Sequence, residues 1–320
     1  MAHPQDLQVI GATTDGRLWH TLRFEPPAAP SWQPFVDVKQ QAGQVGDFLD
    51  VDCARELVQA QEVEGKLHAV GVTGDGRLWY TVRDAATDNW QPFGELGAEV
   101  PSPFLRAAVT TAQRANRTDV VVAGVTADGG LWATTWQSGS EPRPFTLVPP
   151  PPSRHRTCRA VAVATENQDM AKTHLAAVSS DGHLWHAVGR PGQWPAFQDV
   201  ETPAGDQPGD LTDVACVAED ELDLGAVAGD GHVWHTTRAP DSRWTRFTDP
   251  EAAKDVGTFT RIGVARITSG LHICGVTGDG GLWHTLRTGG PADAQARFGD
   301  VKKVTSAPPA VGPFQAVACA

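Results

Sequence analysis

The sequence lacks several features that mark common classes of protein. It contains one tyrosine and two methionines, and its five cysteines include no Cys-x-x-Cys pair. No apolar run approaches about 20 residues, so no membrane-spanning helix is predicted. The segment from Met1 to Asp6 has no basic stretch followed by an apolar one, so no secretory signal peptide is expected. We therefore expect a cytoplasmic protein, or one released without a signal peptide of the usual kind.

Positive charge is also scarce. The chain has 26 lysines and arginines against 38 aspartates and glutamates, a formal net charge of -12. An acidic surface repels phosphate backbones, so nucleic acid is not an expected partner. No 3.6-residue apolar period is sustained, and the 33 glycines and 24 prolines favour many turns over long helices.

Catalytic signatures are missing as well. There is no Gly-x-Ser-x-Gly elbow and no Asp-x-Asp-x-Asp-Gly calcium loop. Sialidases use a tyrosine nucleophile, but the single tyrosine, Tyr80, occupies a repeated position that holds histidine in other copies. Four of the 11 histidines (His20, His186, His235 and His284) occupy this repeated position and two more follow the turn glycine, whereas a catalytic residue would be unique. We predict no enzymatic activity, no cofactor and no metal site.

The sequence does contain six copies of Asp-Gly-x-(Leu/Val)-Trp, spaced about 50 residues apart. The copies begin at Asp15, Asp75, Asp128, Asp181, Asp230 and Asp279. Asp-Gly between two apolar runs predicts a hairpin with a type I′ turn. The turns are then expected at 15–16, 75–76, 128–129, 181–182, 230–231 and 279–280.

This turn sets a pairing register in which Ala12 faces Trp19 and Gly11 faces His20. A small residue then faces an aromatic ring in nearly every copy, which leaves room for the ring. The rings are His20, Tyr80, His186, His235 and His284, and Ala133 is the exception.

Each unit is predicted to hold four strands. The first strand is a stretch such as 48–53, the hairpin supplies the second and third, and a Trp-x-x-Phe element supplies the fourth. Repeated four-stranded units predict an all-β, six-bladed β-propeller of antiparallel blades over residues 1–320, a single domain. The chain begins on a second strand and ends on a lone first strand, 314–319, so that last strand is expected to join the first blade and close the ring.

Alignment of the first strands places Cys53, Cys216 and Cys319 at one position, where the other copies hold valine. Alternation with valine is typical of a small buried hydrophobic residue, so we interpret these cysteines as structural.

The fourth-strand tryptophans and the ends of the third strands carry the candidate binding residues. The tryptophans are Trp32, Trp90, Trp194 and Trp244; copies three and six retain only Phe145 and Phe298. Arginine ends the third strand at Arg23, Arg83, Arg238 and Arg287. Indoles stack on the apolar faces of sugars, although they could equally cover the blade edge. The arginines could bind sugar hydroxyls or pair with an aspartate two residues after the phenylalanine, namely Asp37, Asp249 or Asp300.

The stretch from Asp15 to Arg23, followed by Trp32-x-x-Phe35-x-Asp37, resembles the propeller lectins typified by the Photorhabdus fucose-binding lectin, and more distantly the tectonins. The resemblance recurs in all six copies. It implies multivalent binding of fucose or O-methylated sugars in pockets between adjacent blades. The typical lectin of that family has seven blades, so a six-bladed ring departs from it. Copy three also departs, with Ala133 in place of the ring, and its pocket is expected to be defective.

The sequence therefore predicts a lectin-like propeller with up to six weak sites for glycans or glycoproteins. In these sites the four tryptophans would stack on the sugar, and His20, His186, His235 and His284, with the four arginines, would donate hydrogen bonds. The alternative is a protein-interaction scaffold that binds through irregular loops such as 56–66 and 114–118. An enzyme would need a unique acid or nucleophile in the central channel, and none stands out.

Overall fold

The computed structural model describes residues 6–25, 30–58, 63–114, 117–152, 154, 156–166, 169–205, 208–250, 256–288, 298–299, 302–304 and 311–320. Six small antiparallel sheets follow one another along the chain, as predicted. We number them as blades 1 to 6. Hydrophobic residues of each blade pack against those of the next, which gives an apolar cluster between neighbouring blades rather than one central core.

The strands are numbered in chain order. Blade 1 contains β1 (Leu7–Thr13), β2 (Leu18–Phe24), β3 (Ser31–Trp32), β4 (Val36–Asp37) and the C-terminal β25 (Phe314–Cys319). Blade 2 contains β5 (Phe48–Val58), β6 (Val63–Thr73), β7 (Leu78–Asp84), β8 (Asn89–Trp90) and β9 (Gly94–Leu96). Blade 3 contains β10 (Phe104–Arg114), β11 (Arg117–Thr126), β12 (Leu131–Gln137) and β13 (Thr146–Leu147).

Blade 4 contains β14 (Cys158–Thr165), β15 (Thr173–Ser179), β16 (Leu184–Gly189) and β17 (Gln198–Asp199). Blade 5 contains β18 (Leu211–Ala218), β19 (Leu222–Ala228) and β20 (Val233–Arg238). Blade 6 contains β21 (Phe259–Ile267), β22 (Gly270–Thr277), β23 (Leu282–Arg287) and β24 (Lys302–Lys303). Two short helices, α1 (Val38–Ala42) and α2 (Glu201–Ala204), follow blades 1 and 4. No helix among the described residues is long and apolar enough to cross a membrane.

The C-terminal strand closes the ring, which confirms the prediction from the termini. Strand β25 pairs antiparallel with β1, placing Gly11 opposite Val317. The innermost strands β25, β5, β10, β14, β18 and β21 each contact the next one around the ring. This closure joins the two ends of the repeat array through backbone hydrogen bonds and leaves neither end as an exposed edge.

The six hairpin turns lie where the sequence places them, but their predicted type was wrong. In the first copy, the Gly16 N–H donates to Thr13 O at 2.8 Å and the Thr13 N–H to Arg17 O at 3.0 Å. The loop therefore has three residues, and only its last, Gly16 with φ of 77°, is left-handed. A type I turn followed by a left-handed glycine needs only one residue with positive φ, whereas a type I′ turn needs two. The aspartate therefore keeps an ordinary backbone conformation.

The extra loop residue shifts the pairing by one position, so the predicted register was also wrong. Gly11 faces Trp19, and Ile10 faces His20. The small residue is required by a first-strand side chain, since a Cβ on Gly11 would lie 2.7 Å from the Phe314 ring. The same glycine-phenylalanine contact recurs in blades 2, 3 and 6. In blades 4 and 5 the first strands begin with Cys158 and Leu211, and alanine replaces the glycine.

The fourth strands are broken into short pieces. In blade 1, Trp32 pairs with Arg23 and Asp37 pairs with Trp19. In blade 5 the fourth strand is reduced to isolated bridges at Trp244 and Thr248.

Blade 6 corrects the sequence alignment of the fourth strands. Phe298 is bridged to Arg287, so it stands at the tryptophan position and not at the Phe35 position. Lys303 occupies the place of Asp37, opposite Trp283. Asp300, which the sequence aligned with Asp37, lies outside the described residues.

Candidate functional site

The predicted binding residues meet between blades, in what we call seams, each named by the two blades that form it. The third-strand ring of one blade contacts the fourth-strand tryptophan of the next. His20 packs on Trp90 in seam 1/2, His186 on Trp244 in seam 4/5 and His284 on Trp32 in seam 6/1. The ring centroids are 5.4 to 5.5 Å apart and the planes are within 14° of perpendicular, an edge-to-face geometry that aromatic pairs favour.

The predicted arginines belong to the same seams. Arg23, Arg83 and Arg238 are the cross-strand partners of Trp32, Trp90 and Trp244. Burial, and to a smaller extent the positive charge of the arginine across the seam, lower the pKa of each histidine. The pairs are Arg23 with His284, Arg83 with His20 and Arg238 with His186. Three seams therefore hold a complete set of histidine, tryptophan and arginine.

Among the described residues, Arg23 and Arg83 do not pair with the fourth-strand aspartates that the alternative named. Arg23 pairs with Glu25, and Arg83 pairs with Asp88 at 2.7 Å. Asp37 instead accepts the Lys39 N–H at 2.9 Å and so caps helix α1. His232 lies 3.3 Å from Asp249.

The seam histidines are buried and hydrogen-bonded within their own blades. The Nε2 atom of His20 lies 2.6 Å from Gln8 Oε1. In the same way, His186 Nε2 lies 2.9 Å from His174 Nδ1, and His284 Nε2 lies 2.9 Å from His272 Nδ1. In blade 5, His235 Nε2 lies 3.0 Å from Asp223 Oδ1. Burial is the main cause that lowers the pKa of His20 and His186 well below the ordinary value and that of His284 to about 3. The rings of His20, His186 and His284 are therefore neutral near pH 7.

The second-strand partners were missed from the sequence. Each lies 12 residues before its ring: Gln8, His68, His174, Asp223 and His272. Some continue further, as His174 does to Glu166 at 3.2 Å and His68 to Glu56 at 3.3 Å. The signal available was a polar residue at a fixed offset inside an otherwise apolar strand.

The remaining seams depart from the complete set. In seam 5/6, His235 packs on Phe298 at 5.5 Å. In seam 2/3, Tyr80 packs on Trp136, which stands at the arginine position of blade 3. In seam 3/4, Ala133 and Trp194 belong to one apolar cluster, and no ring lies at the histidine position. The departures of copy three therefore alter two seams in different ways.

Exposure separates the three complete seams. Trp90 and Arg83 are 5% and 3% exposed, so seam 1/2 is closed to solvent. In seams 4/5 and 6/1, the tryptophan and arginine are only half-buried. Among the three complete sets, only these two keep a partly exposed indole and arginine, and in seam 6/1 the Arg23 side chain is 14% exposed and ion-paired with Glu25.

The second set of tryptophans, in the hairpins, has a structural role. The hydroxyl of Thr13 donates to Asp15 and accepts the Trp19 Nε1–H at 3.3 Å, so one side chain joins turn and strand. The arrangement recurs at Thr73, Ser179 and Thr277. In blade 5 the hydroxyl is absent because the residue is Ala228, and the buried Trp234 N–H has no partner among the described residues.

The central channel contains one acid that has no counterpart in the other blades. Asp52 lies on β5, whereas the equivalent positions hold alanine or glycine. Its carboxylate accepts the Val109 N–H at 2.7 Å, and burial raises its pKa to about 7. This unique acid is visible in the aligned first strands, although we did not identify it from the sequence. Cys53, Cys216 and Cys319 line a channel cavity of about 110 Å³ next to it and are free thiols.

Among the described residues, no three histidine, cysteine, aspartate or glutamate side chains converge to hold a metal ion.

No protein-family model and no curated protein sequence matches the chain. Solved structures do match over nearly the whole length. The SapL1 lectin in complex with α-methyl fucoside has a TM-score of 0.62 at 11% identity, with 96% of this chain and 95% of that chain covered. A mutant of the Aleuria aurantia lectin in complex with Fucα1-6GlcNAc has a TM-score of 0.61 at 12% identity, covering 92% and 91%. AofleA from Arthrobotrys oligospora has a TM-score of 0.60 at 8% identity, covering 94% and 86%. The chain thus shares its fold with six-bladed, fucose-specific propeller lectins.

Proposed function

We propose that this chain is a non-enzymatic lectin that binds fucose or a related sugar at seams 4/5 and 6/1. The observation that carries the proposal is the pairing of a half-buried indole with a half-buried guanidinium on adjacent strands, as in Trp244 and Arg238. The similarity to fucose-binding propellers supports the sugar class, as does the sequence resemblance to the Photorhabdus lectin.

The different exposure of the tryptophan, arginine and histidine in a seam suggests a different role for each. The indole offers an apolar face to the C–H side of a pyranose. The guanidinium offers several N–H donors to hydroxyl groups in a fixed planar geometry. The histidine, already bonded within its blade, holds the edge of the indole and so positions it. The Nε2 atoms of His186 and His284 are already hydrogen-bonded to His174 and His272, so they are not free to donate to a sugar as the sequence predicted.

Two shallow sites on one rigid ring act together on a surface that displays many glycans. Each tethered site makes the second binding event intramolecular, so the apparent affinity for a multivalent glycan exceeds that of one site. We therefore place the partners among glycans and glycoproteins.

A glycan array with fucosylated and O-methylated sugars tests the proposal first, followed by titration of the best ligand. Trp244→Ala removes the seam 4/5 platform and is expected to abolish binding there. Trp194→Ala removes an indole of the same element in seam 3/4, which lacks both histidine and arginine, and serves as the matched control. Binding lost in Trp244→Ala combined with Trp32→Ala but kept in Trp194→Ala supports the proposal. An array without signal from folded protein refutes it.

A further inference from the structure

One end of the central channel opens into a cavity of about 830 Å³. Hairpin turns of blades 2 to 4 border it, and the first residues of the inner strands form its floor. We call this the channel mouth and define it by the residues Leu49, Leu105, Arg106, Arg159, Arg261 and Gln315. It shares no residue with the sugar-binding seams.

The channel mouth exposes large apolar side chains. Leu49 and Leu105 are 45% and 50% exposed, and they are two of the four large hydrophobic residues that the described part of the chain exposes. They occupy the second position of the inner strands β5 and β10, in adjacent blades. The same position in the other blades holds Arg159, Thr212, Thr260 and Gln315. The apolar patch is therefore confined to one side of the mouth.

Three arginines lie beside this patch. Arg159 Nε donates to Ser179 O at 3.1 Å, and Arg261 Nη1 donates to Thr260 O at 2.7 Å. Arg106 Nη1 lies 3.7 Å from Asp50 Oδ1. The buried Nε atoms of Arg106 and Arg261 have no acceptor among the described residues. The mouth thus has N–H donors in excess of the acceptors that face them.

The neighbouring acids already have partners. Asp50 and Asp213 accept the N–H groups of Ala107 and Ile262 from the next blade, at 2.9 and 3.0 Å. At the rim, Asp75 and Asp128 each accept a threonine hydroxyl at 2.6 Å within their own turn. An incoming carboxylate would therefore meet the exposed Nη1 groups of Arg106 and Arg261, not their buried Nε atoms, and would share these guanidinium groups with Asp50 and Asp213.

We propose that the channel mouth binds a segment of a protein partner that presents an acidic side chain next to a leucine-like side chain. The carboxylate would enter toward Arg106 and Arg261, and the apolar side chain would cover Leu49 and Leu105. The described lining contains three arginines and no lysine, a composition that protein interfaces favour. A single sugar ring has no apolar group large enough to cover two leucines on adjacent blades.

A random dodecapeptide library displayed on phage, panned against the full chain, tests this proposal. The matched control is Leu49→Ser combined with Leu105→Ser, which truncates two half-exposed side chains and is expected to change the melting temperature only slightly. Enriched peptides should share an aspartate or glutamate within two positions of a leucine, isoleucine, methionine or phenylalanine. Selected peptides should bind the control variant at least about tenfold more weakly, and their binding should weaken with added salt because it relies on charge.

Arg261→Gln and Arg261→Lys sharpen the result, since the lysine variant keeps the charge without the planar fork. Binding should fall in the first and recover partly in the second. The proposal is overturned if no peptide is enriched over the control variant, or if the enriched peptides lack an acid. Titration of the control variant with methyl α-L-fucoside should match that of the wild type, so failure here is distinct from failure of the sugar sites.

Discussion

Blade 4 forms one seam on each side, and the two differ in kind. Seam 4/5 holds His186, Trp244 and Arg238, with a polar chain behind the ring that runs through His174 to Glu166. Seam 3/4 holds Trp194 in an apolar cluster with Ala133 and Val121. Val121 stands 12 residues before Ala133, at the position where the other blades carry the polar partner of the ring.

The ring and its partner are therefore lost together in blade 3. A buried imidazole is tolerated only where its nitrogen has a hydrogen-bond partner. The hairpin with its glycine turn and tryptophan is present in blade 3 as well as in the blades that keep the ring, so we assign it a structural role. The polar pair and the arginine are additional features, and we attribute them to binding.

The largest effect is expected from placing a ring in seam 3/4. Ala133→His would bury an imidazole in the apolar cluster that contains Val121, without a partner and in a filled core, and should destabilise the protein by about 3 kcal/mol. Urea unfolding measures this. Adding Val121→Gln, which copies the Gln8 to His20 pair of blade 1, should recover about 1 kcal/mol. No recovery would show that polar pairing does not explain the difference between the seams.

Removal of the seam 3/4 indole is expected to affect stability alone. Trp194→Ala deletes a half-buried ring and should lower the free energy of unfolding by about 2 kcal/mol, less than a fully buried tryptophan would. The measurement is chemical denaturation, paired with a sugar titration that should match the wild type. A loss of sugar binding would contradict the distinction between the two seams.

In seam 4/5 the guanidinium is expected to matter for affinity. Arg238→Ala should weaken sugar binding at this seam at least about tenfold, equivalent to about 1.4 kcal/mol. Arg238→Lys should retain part of the affinity, because a lysine provides charge without the forked donors. Isothermal titration in a Trp32→Ala background isolates the seam. Equal affinity of Arg238→Ala and its parent would remove the arginine from the site.

A stabilising change in blade 5 is expected to affect folding stability without affecting sugar binding. Ala228→Thr restores the hydroxyl that accepts the hairpin tryptophan N–H in blades 1, 2, 4 and 6, and so should give the Trp234 N–H an acceptor. It should raise the free energy of unfolding by about 1 kcal/mol, with sugar affinity unchanged. Ala228→Val, similar in shape but without the hydroxyl, is the control. A gain of the same size in the valine variant would assign the effect to packing.

The smallest effect is expected from pH. The pKa of His186 is held well below its ordinary value and that of His174 is about 4, so both rings stay neutral from pH 5.5 to 8. Sugar affinity at seam 4/5 should change by less than about twofold over that range. A fall in affinity as the pH drops below 6.5 would mean that a seam histidine titrates near its ordinary pKa, in contradiction to its buried, bonded state.

The fold was predictable because it depends on local signals that recur. Six Asp-Gly turns, the Gly11-type small residues and the lone C-terminal strand fixed the blade number and the closure of the ring. The turn type was not predictable from Asp15 and Gly16 alone, since the same dipeptide fits two loop lengths. The small size of Gly11, which we had attributed to a ring across the hairpin, is required instead by Phe314, 303 residues away in sequence.

The members of the candidate site were also predictable, but not their partners or exposure. Repetition identified the histidines, tryptophans and arginines, while the contacts among them cross from one blade to the next. Burial of Trp90 and Arg83 closes seam 1/2, although its residues match those of the open seams. Such differences arise from loops and side-chain packing around the seam, which a repeat alignment does not represent. The unique Asp52 was visible in the alignment but belongs to the channel, away from the repeated motif.

The most direct test of the account is a crystal structure of the protein soaked with methyl α-L-fucoside. We expect the sugar in seams 4/5 and 6/1, with its C–H face against Trp244 and Trp32 and a hydroxyl within hydrogen-bonding distance of Arg238 or Arg23. No sugar is expected in seam 3/4. Sugar bound in seam 3/4, or electron density for it only outside seams 4/5 and 6/1, would contradict the claim that a complete and accessible seam forms the binding site.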